Sequence, residues 1–493
     1  MNAPTRTSPY DQLMAFQRTT EALAAVAGRT GWDQETVMPP GAAPQRAEEM
    51  GALEEVLHAR RTDPRIGAWL EAAEAPDLAA EANLRELRRS FERNRRVPAA
   101  LASEIARVTS LAQGQWARAR ANEDADAFRP VLSEVVRLRR EEAAALSEGD
   151  PYDALVQDYE PGGNGALMAA MFAEMRPRLV ELRRRALAAE PAPRLAGHFP
   201  KDAQLALSRE IAERFGYDFG RGRLDLAVHP FSSGSGLDVR ITTRVDEADP
   251  FSCLYSTIHE VGHAAYEQGV DPAHLLTPIG RGVSMGVHES QSRSYENQMG
   301  RSEAFCGWLF GRMRETFGDI GVGSERDFYR AVNAVRAGYI RTEADEVNYN
   351  LHVMLRFDLE RALIRGELEV ADLEAAWNER FAADFGVAVD RPSNGFMQDV
   401  HWSVGLMGYF PTYSLGNLYA GCLFSALRGD LPGLDASLAA GDPSPATKWL
   451  RDRLQRFGAL RMPGDTIREA TGAEPSAEPL LRYLEAKFGD LYP

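Results

Sequence analysis

The chain has 493 residues, 44% apolar and 26% charged, the proportions of a folded globular protein, which excludes a disordered or collagen-like chain. Its 56 Lys and Arg against 72 Asp and Glu give a net charge of −16, which argues against general binding to nucleic acid or to an anionic membrane. Cys253, Cys306 and Cys422 are too few and too far apart for a disulfide framework, and neither a basic-then-apolar leader nor a long apolar run is visible, so the expected location is the cytoplasm.

The first half reads as helix after helix. Leu13, Phe16, Thr20, Leu23 and Val26 recur at helical spacing and predict a helix from about Tyr10 to Ala27, with a break at Met38-Pro39-Pro40-Gly41. From Ala43 to Ser147 the chain is rich in Ala, Glu, Leu and Arg, all strong helix formers, punctuated at Val97-Pro98. Further breaks fall at Gly149-Asp150-Pro151 and Pro161-Gly162-Gly163. Between Tyr217 and Asp249 the pattern changes. Leu237, Val239, Ile241, Thr243 and Val245 alternate with polar neighbours, and this period of two predicts a half-buried strand. Helical patterning then returns, apart from a Gly- and aromatic-rich segment from Gly395 to Gly421. With no repeat and no low-complexity linker, the expectation is one mainly α domain over residues 1–493, with a small β-sheet near its middle.

The chemistry is signalled by His259-Glu260-Val261-Gly262-His263. Asp249 suits an N-cap, Pro250 the first helical position and Gly269 a helix stop. Within that helix Phe251, Leu254, Tyr255, Ile258, Val261, Gly262 and Ala265 make one apolar stripe, and the two histidines lie together on another flank. Two imidazoles one turn apart can grip one metal ion, and Glu260 projects about 100° away, beside the ion rather than on it. A catalytic site of this kind needs a third ligand. Glu289 follows His263 by 26 residues; His288 and Glu296 are rivals, and Glu289 could instead simply pair with Arg293 one turn on.

Several strings then converge in order: Trp32-Asp33-Gln34-Glu35-Thr36 with Met38-Pro39, His229-Pro230-Phe231, Asp238-Val239-Arg240-Ile241-Thr242, the His259 motif, His288-Glu289-Ser290, Ile340 to Asp345, and Gly395 to Trp402. Together they resemble the signature motifs of the Taq carboxypeptidase family of metallocarboxypeptidases, over essentially the whole chain. The resemblance implies a large, two-lobed helical body with a deep substrate groove, similar to neurolysin and angiotensin-converting enzyme. It implies removal of residues from peptide C-termini, one zinc or cobalt ion per subunit, and a homodimer. By motif it makes His259, His263 and Glu289 the metal ligands and Glu260 the base.

Further roles follow from that activity. The developing oxyanion needs a donor besides the metal, and His401, Tyr409 and Tyr413 follow the Gly395 motif as a His-then-Tyr segment does in related zincins. The alternative is that these rings only pack. A free terminal carboxylate calls for an Arg fork, with Arg240 and Arg341 as candidates; Arg240 has a structural alternative in an ion pair with Asp238. The predicted strand could pair with an extended peptide. His229 either lines the groove or satisfies a loop. Two other functions stay open: an oligopeptide endopeptidase on the same scaffold, and a catalytically silent peptide-binding protein, against which the intact His259-Glu260-His263 set argues.

Overall fold

A computed structural model describes residues 7–147 and 149–493. Helices dominate, as the patterning requires. The first nine are α1 (Pro9–Thr36), α2 (Ala43–Arg61), α3 (Pro64–Ala72), α4 (Leu78–Arg96), α5 (Ala99–Ala121), α6 (Ala125–Leu146), α7 (Pro151–Val156), α8 (Gly165–Ala188) and α9 (Lys201–Arg214). Ser8 and Asp11 close a capping box at the start of α1, which runs on through Gly28 and Gly31 to Thr36, nine residues past the predicted end. The apolar spacing fades after Val26, but packing of Trp32 against the body carries the helix further.

Three short strands follow: β1 (Leu224–Leu226), β2 (Ser232–Ser235) and β3 (Asp238–Thr243). Their order is β1-β3-β2, with β1 parallel and β2 antiparallel to β3. The predicted strand is therefore central and paired on both sides. A peptide cannot add to β3; the free edges belong to β1 and β2. The chain continues through α10 (Pro250–Gly269), α11 (Met285–Arg293), a π-helical turn (Ser294–Gly300), α12 (Glu303–Phe317), α13 (Glu325–Val332), α14 (Glu346–Arg365) and α15 (Leu373–Phe385). It closes with α16 (Pro411–Asp430), α17 (Leu434–Ala439), α18 (Ser444–Arg453), α19 (Pro463–Thr471) and α20 (Glu478–Leu491).

The main core gathers side chains from Ala82 to Tyr492 around α10, whose Leu254, Ile258 and Val261 are fully buried. Each such side chain contributes about 1.5–3 kcal/mol through removal from water. A separate small core of Leu13, Ile66, Leu70, Leu84, Leu87 and Phe91 holds α1, α3 and α4 together as a lobe. Polar contacts help tie that lobe to the body: Arg85 donates to the Ala459 carbonyl at 2.8 Å, Arg89 to the Gln157 carbonyl at 3.1 Å and Arg93 to the Ala154 carbonyl at 3.0 Å. Trp32 adds an apolar anchor under the Arg240 guanidinium. Among the described residues no helix is long and apolar enough to cross a membrane, and the three cysteines are buried and free.

Candidate active site

Asp249 caps α10 and Pro250 opens it, as the sequence predicts. The helix presents His259, Glu260 and His263, and α11 presents Glu289. Gly262 sets how near the two helices come: a Cβ there would stand 2.5 Å from Ser292 Cα and 2.7 Å from the Gln291 carbonyl oxygen. On the other side Gly416 of α16 gives the same room, since a Cβ would lie 2.5 Å from Glu289 Cβ and Cγ. Glu289 is thus clamped between α10 and α16. Gly262→Ala is expected to cost about 1–3 kcal/mol by overpacking. It should also weaken metal affinity by parting His263 from Glu289. Thermal melting and a metal titration check this; an unchanged Tm would contradict the close-packing argument.

His259 Nε2 lies 3.7 Å and His263 Nε2 3.3 Å from Glu289 Oε2. The three donors all fall within 4.8 Å of one another. Ligands about 2.0–2.2 Å from a tetrahedral ion stand roughly 3.4 Å apart, so this donor set fits one divalent cation and leaves a fourth position for another ligand. The second carboxylate oxygen, Glu289 Oε1, accepts from Arg293 Nε at 2.6 Å, and Ser292 Oγ donates to Oε2 at 3.0 Å.

Both histidines are steered from behind. His259 Nδ1 meets Glu296 Oε2 at 2.8 Å, and Glu296 Oε1 accepts from Arg301 Nη2 at 3.0 Å. The π-helical turn carries Glu296 to this place, a device common at functional sites. His263 Nδ1 meets His288 Nδ1 at 2.7 Å, and His288 Nε2 meets Glu267 Oε1 at 2.9 Å. With His263 Nε2 facing Glu289, its Nδ1 carries the proton and donates to His288, which in turn donates from Nε2 to Glu267. Such partners fix tautomer and ring orientation. The two rival ligands, His288 and Glu296, thus stand behind the histidines, outside the cluster of converging donors.

The protein's own charges suit a cation. Burial works against the Glu289 carboxylate, but Arg293 and the two histidines hold it ionised, well below the usual range. Burial pulls His263 down to about 4, so its ring is neutral near pH 7 as a ligand must be. For His259 the charges of Glu289 and Glu296 outweigh burial and shift it up. Burial, with Glu289 and Glu296 nearby, raises Glu260 to about 7 against a counter-pull from His259. A carboxyl poised there is well matched to general-base work near neutrality. A polar cavity of about 1090 Å³ reaches Arg293, Glu296 and Tyr349 from the side of Ser252 and Arg336.

The strings around Ile340 and Gly395 form one unit. Arg341 N donates to Gln398 Oε1 at 2.9 Å, and Arg341 Nε and Nη2 both donate to Asp399 Oδ1, at 3.1 and 2.9 Å. Asp399 Oδ2 accepts from Arg356 Nε at 2.7 Å, and Arg341 Nη1 donates to Tyr349 Oη at 3.1 Å. Each terminal nitrogen of Arg341 has one N–H left after these bonds. Two arginines outweigh burial at Asp399 and hold it far below the usual carboxylate range. Arg240 differs. Its fork is bound by Asp238 at 2.8 and 3.0 Å and covered by Trp32 at 4.4 Å, the structural ion pair that the sequence offered as the alternative. His229 is exposed in the turn between β1 and β2.

His401 Nε2 lies 3.3 Å from Tyr413 Oη, and the Tyr409 and Tyr413 rings meet edge to face at 5.3 Å. Tyr413 sits one turn before Gly416, on the side of α16 that meets Glu289. Burial and the Glu289 charge raise both phenols, which stay protonated donors. Burial pulls His401 down to about 4, so it too is neutral near pH 7. Sequence reasoning gave Asp399 and Tyr349 no role. Asp399 stood in a string already singled out, but 58 residues from the arginine it holds; nothing local marked Tyr349.

A mostly helical body that brings a His-Glu-x-x-His helix against a third, carboxylate donor defines a metal-dependent peptide hydrolase. A sequence profile described as carboxypeptidase Taq (M32) metallopeptidase matches residues 12–488. The chain is 44% identical to thermostable carboxypeptidase 1 of Thermus thermophilus, over 98% of this chain and 99% of that one. It is 34% identical to carboxypeptidase 1 of Bacillus subtilis, over 98% of each. The M32 carboxypeptidase of Deinococcus radiodurans R1 superposes with a TM-score of 0.95 at 39% identity, over 98% of this chain and 99% of that one. Metallocarboxypeptidase 1 of Trypanosoma cruzi does so at 0.95 and 35% identity, over 97% and 99%. The chain belongs to the M32 family of metallocarboxypeptidases. It is a carboxypeptidase that uses a divalent metal.

Proposed function

We propose that His259, His263 and Glu289 hold one zinc ion per subunit, with cobalt as the alternative, and that Glu260 is the general base in removal of C-terminal residues from peptides. The carrying observation is the convergence of His259 Nε2, His263 Nε2 and Glu289 Oε2, with Glu260 next to a ligand in sequence and outside the donor cluster. When bound, the ion polarises the scissile carbonyl and acidifies a water. Glu260 accepts that water's proton and returns it to the leaving amine. His401, Tyr409 and Tyr413 supply neutral donors to the developing oxyanion. The assembly acts as one catalytic domain, as a cytoplasmic homodimer, on peptides rather than nucleic acid or membrane.

Arg341 is the better candidate for the substrate carboxylate, because its guanidinium lies 5.0 Å from the ring of Tyr413, which meets His401, whereas Arg240 lies on β3 under Trp32. Charge-assisted bonds are roughly twice as strong as neutral ones. Amidating the peptide C-terminus is expected to lower kcat/KM by about 10–10³-fold, at about 1.4 kcal/mol per tenfold. Arg341→Lys, which keeps the charge but loses the fork, should erase most of that preference; Arg240→Lys should not. The experiment is a digest of free and amidated forms of one peptide, with and without chelator, read by mass spectrometry. Equal cleavage of both at internal bonds would replace this reading with an endopeptidase.

A further inference from the structure

Glu360 is a buried carboxylate that the proposed chemistry does not use. It sits in α14 with no measurable exposure, and among the described residues it has no ion-pair partner. Instead three neutral groups donate to it. Trp402 Nε1 reaches Oε1 at 2.8 Å; Tyr152 Oη and Gly408 N reach Oε2 at 2.8 and 3.1 Å. Two of these donors flank the site in sequence. Trp402 directly follows His401, and Gly408 directly precedes Tyr409.

The stretch between them has no helix or strand to hold it. It folds back through Leu406 N to the His401 carbonyl at 2.9 Å and Gly405 N to the Trp402 carbonyl at 3.1 Å. Gly405 and Gly408 adopt φ of 76° and 84°, conformations that favour glycine. Gly408 also lies where a Cβ would be 3.0 Å from the backbone of Leu155 and Val156. A loop of this kind keeps one geometry only if its ends are fixed.

We infer that Glu360 is a positioning residue whose carboxylate ties both ends of the 401–409 loop, through Trp402 Nε1 and Gly408 N, and so aims His401 and Tyr409 at the reacting carbonyl. This rests on the catalytic reading of His401 and Tyr409. Burial lifts the Glu360 carboxyl to about 7, while the three donors pull the other way by holding its ionised form.

The test is a double-mutant cycle on the metal-loaded enzyme with a free-carboxylate peptide. Glu360→Gln keeps one acceptor and turns an NH₂ toward a donor. It should lower kcat by about 10–100-fold, with KM changed less than about threefold and metal content unchanged. In a His401→Phe, Tyr409→Phe background the same change should cost less than about threefold, because the groups it aims are gone. If His401→Phe, Tyr409→Phe itself leaves kcat intact, the catalytic reading of the loop fails. If that variant is slow but Glu360→Gln is fully active, or if Glu360→Gln costs the same in both backgrounds, the positioning role is overturned. Should Glu360→Gln not fold, Trp402→Phe removes one tether and leaves the carboxylate paired; a fall in kcat of about 3–10-fold that disappears in the same background supports the inference, and full activity contradicts it.

Discussion

Glu260→Gln is expected to keep its metal and lose about 10²–10⁴-fold in kcat. The expectation follows from geometry. The three converging donors come from His259, His263 and Glu289, so none is removed. Gln is nearly isosteric with Glu, and the neighbours that hold the site, Glu296 and Arg293, are untouched. What disappears is the proton acceptor. A carboxylate beside the ion can both take a proton from water and give one to an amine. Serving both steps, its loss should fall toward the larger end of the range. Metal analysis and steady-state kinetics on one preparation decide the matter. Full activity would remove Glu260 from the mechanism.

Glu289→Ala should lose the ion. Three donors would become two, and Arg293, which now spends its Nε on Glu289 Oε1, would keep Glu296 as its carboxylate partner beside the metal site. The guanidinium, less well neutralised than before, also repels the metal. Activity should fall to background at ordinary metal concentrations. Glu296→Ala differs in kind: it removes the acceptor behind His259, so affinity should fall by about 10–100-fold while a site remains. Isothermal titration with zinc separates the two. If His288→Ala abolishes binding and Glu289→Ala does not, the third ligand has been misassigned.

Much of this was legible in the sequence. Asp249-Pro250 marks the start of α10, and the helical period then fixes that His259 and His263 share a face while Glu260 does not. Period-two alternation marks β3, although its burial on both edges depends on β1 and β2, which are three and four residues long and too short to show a pattern. Choosing between His288 and Glu289 was harder. They are adjacent and point about 100° apart, and which one faces α10 depends on the rotation of α11. That rotation is set by contacts with Gly262 and Gly416, residues far off in sequence with no side chain to signal them.

The remaining features were hidden for the same reason. Arg240 looked available because Trp32, which covers it, comes from another lobe. Arg341 and Asp399 are 58 residues apart in sequence, and Tyr152 and Glu360 are 208 apart. A single sequence carries no periodicity that joins such pairs. Burial of carboxylates is equally invisible, since Glu360 reads as an ordinary helix-surface acid until the fold encloses it.

The metal centre is tested most directly by anomalous diffraction from crystals grown with zinc. The expected result is one peak per subunit, about 2.0–2.2 Å from His259 Nε2, His263 Nε2 and Glu289 Oε2, with His288 and Glu296 holding the far ring nitrogens. A peak ligated by His288 or Glu296 in place of Glu289, or one remote from His259 and His263, would contradict it.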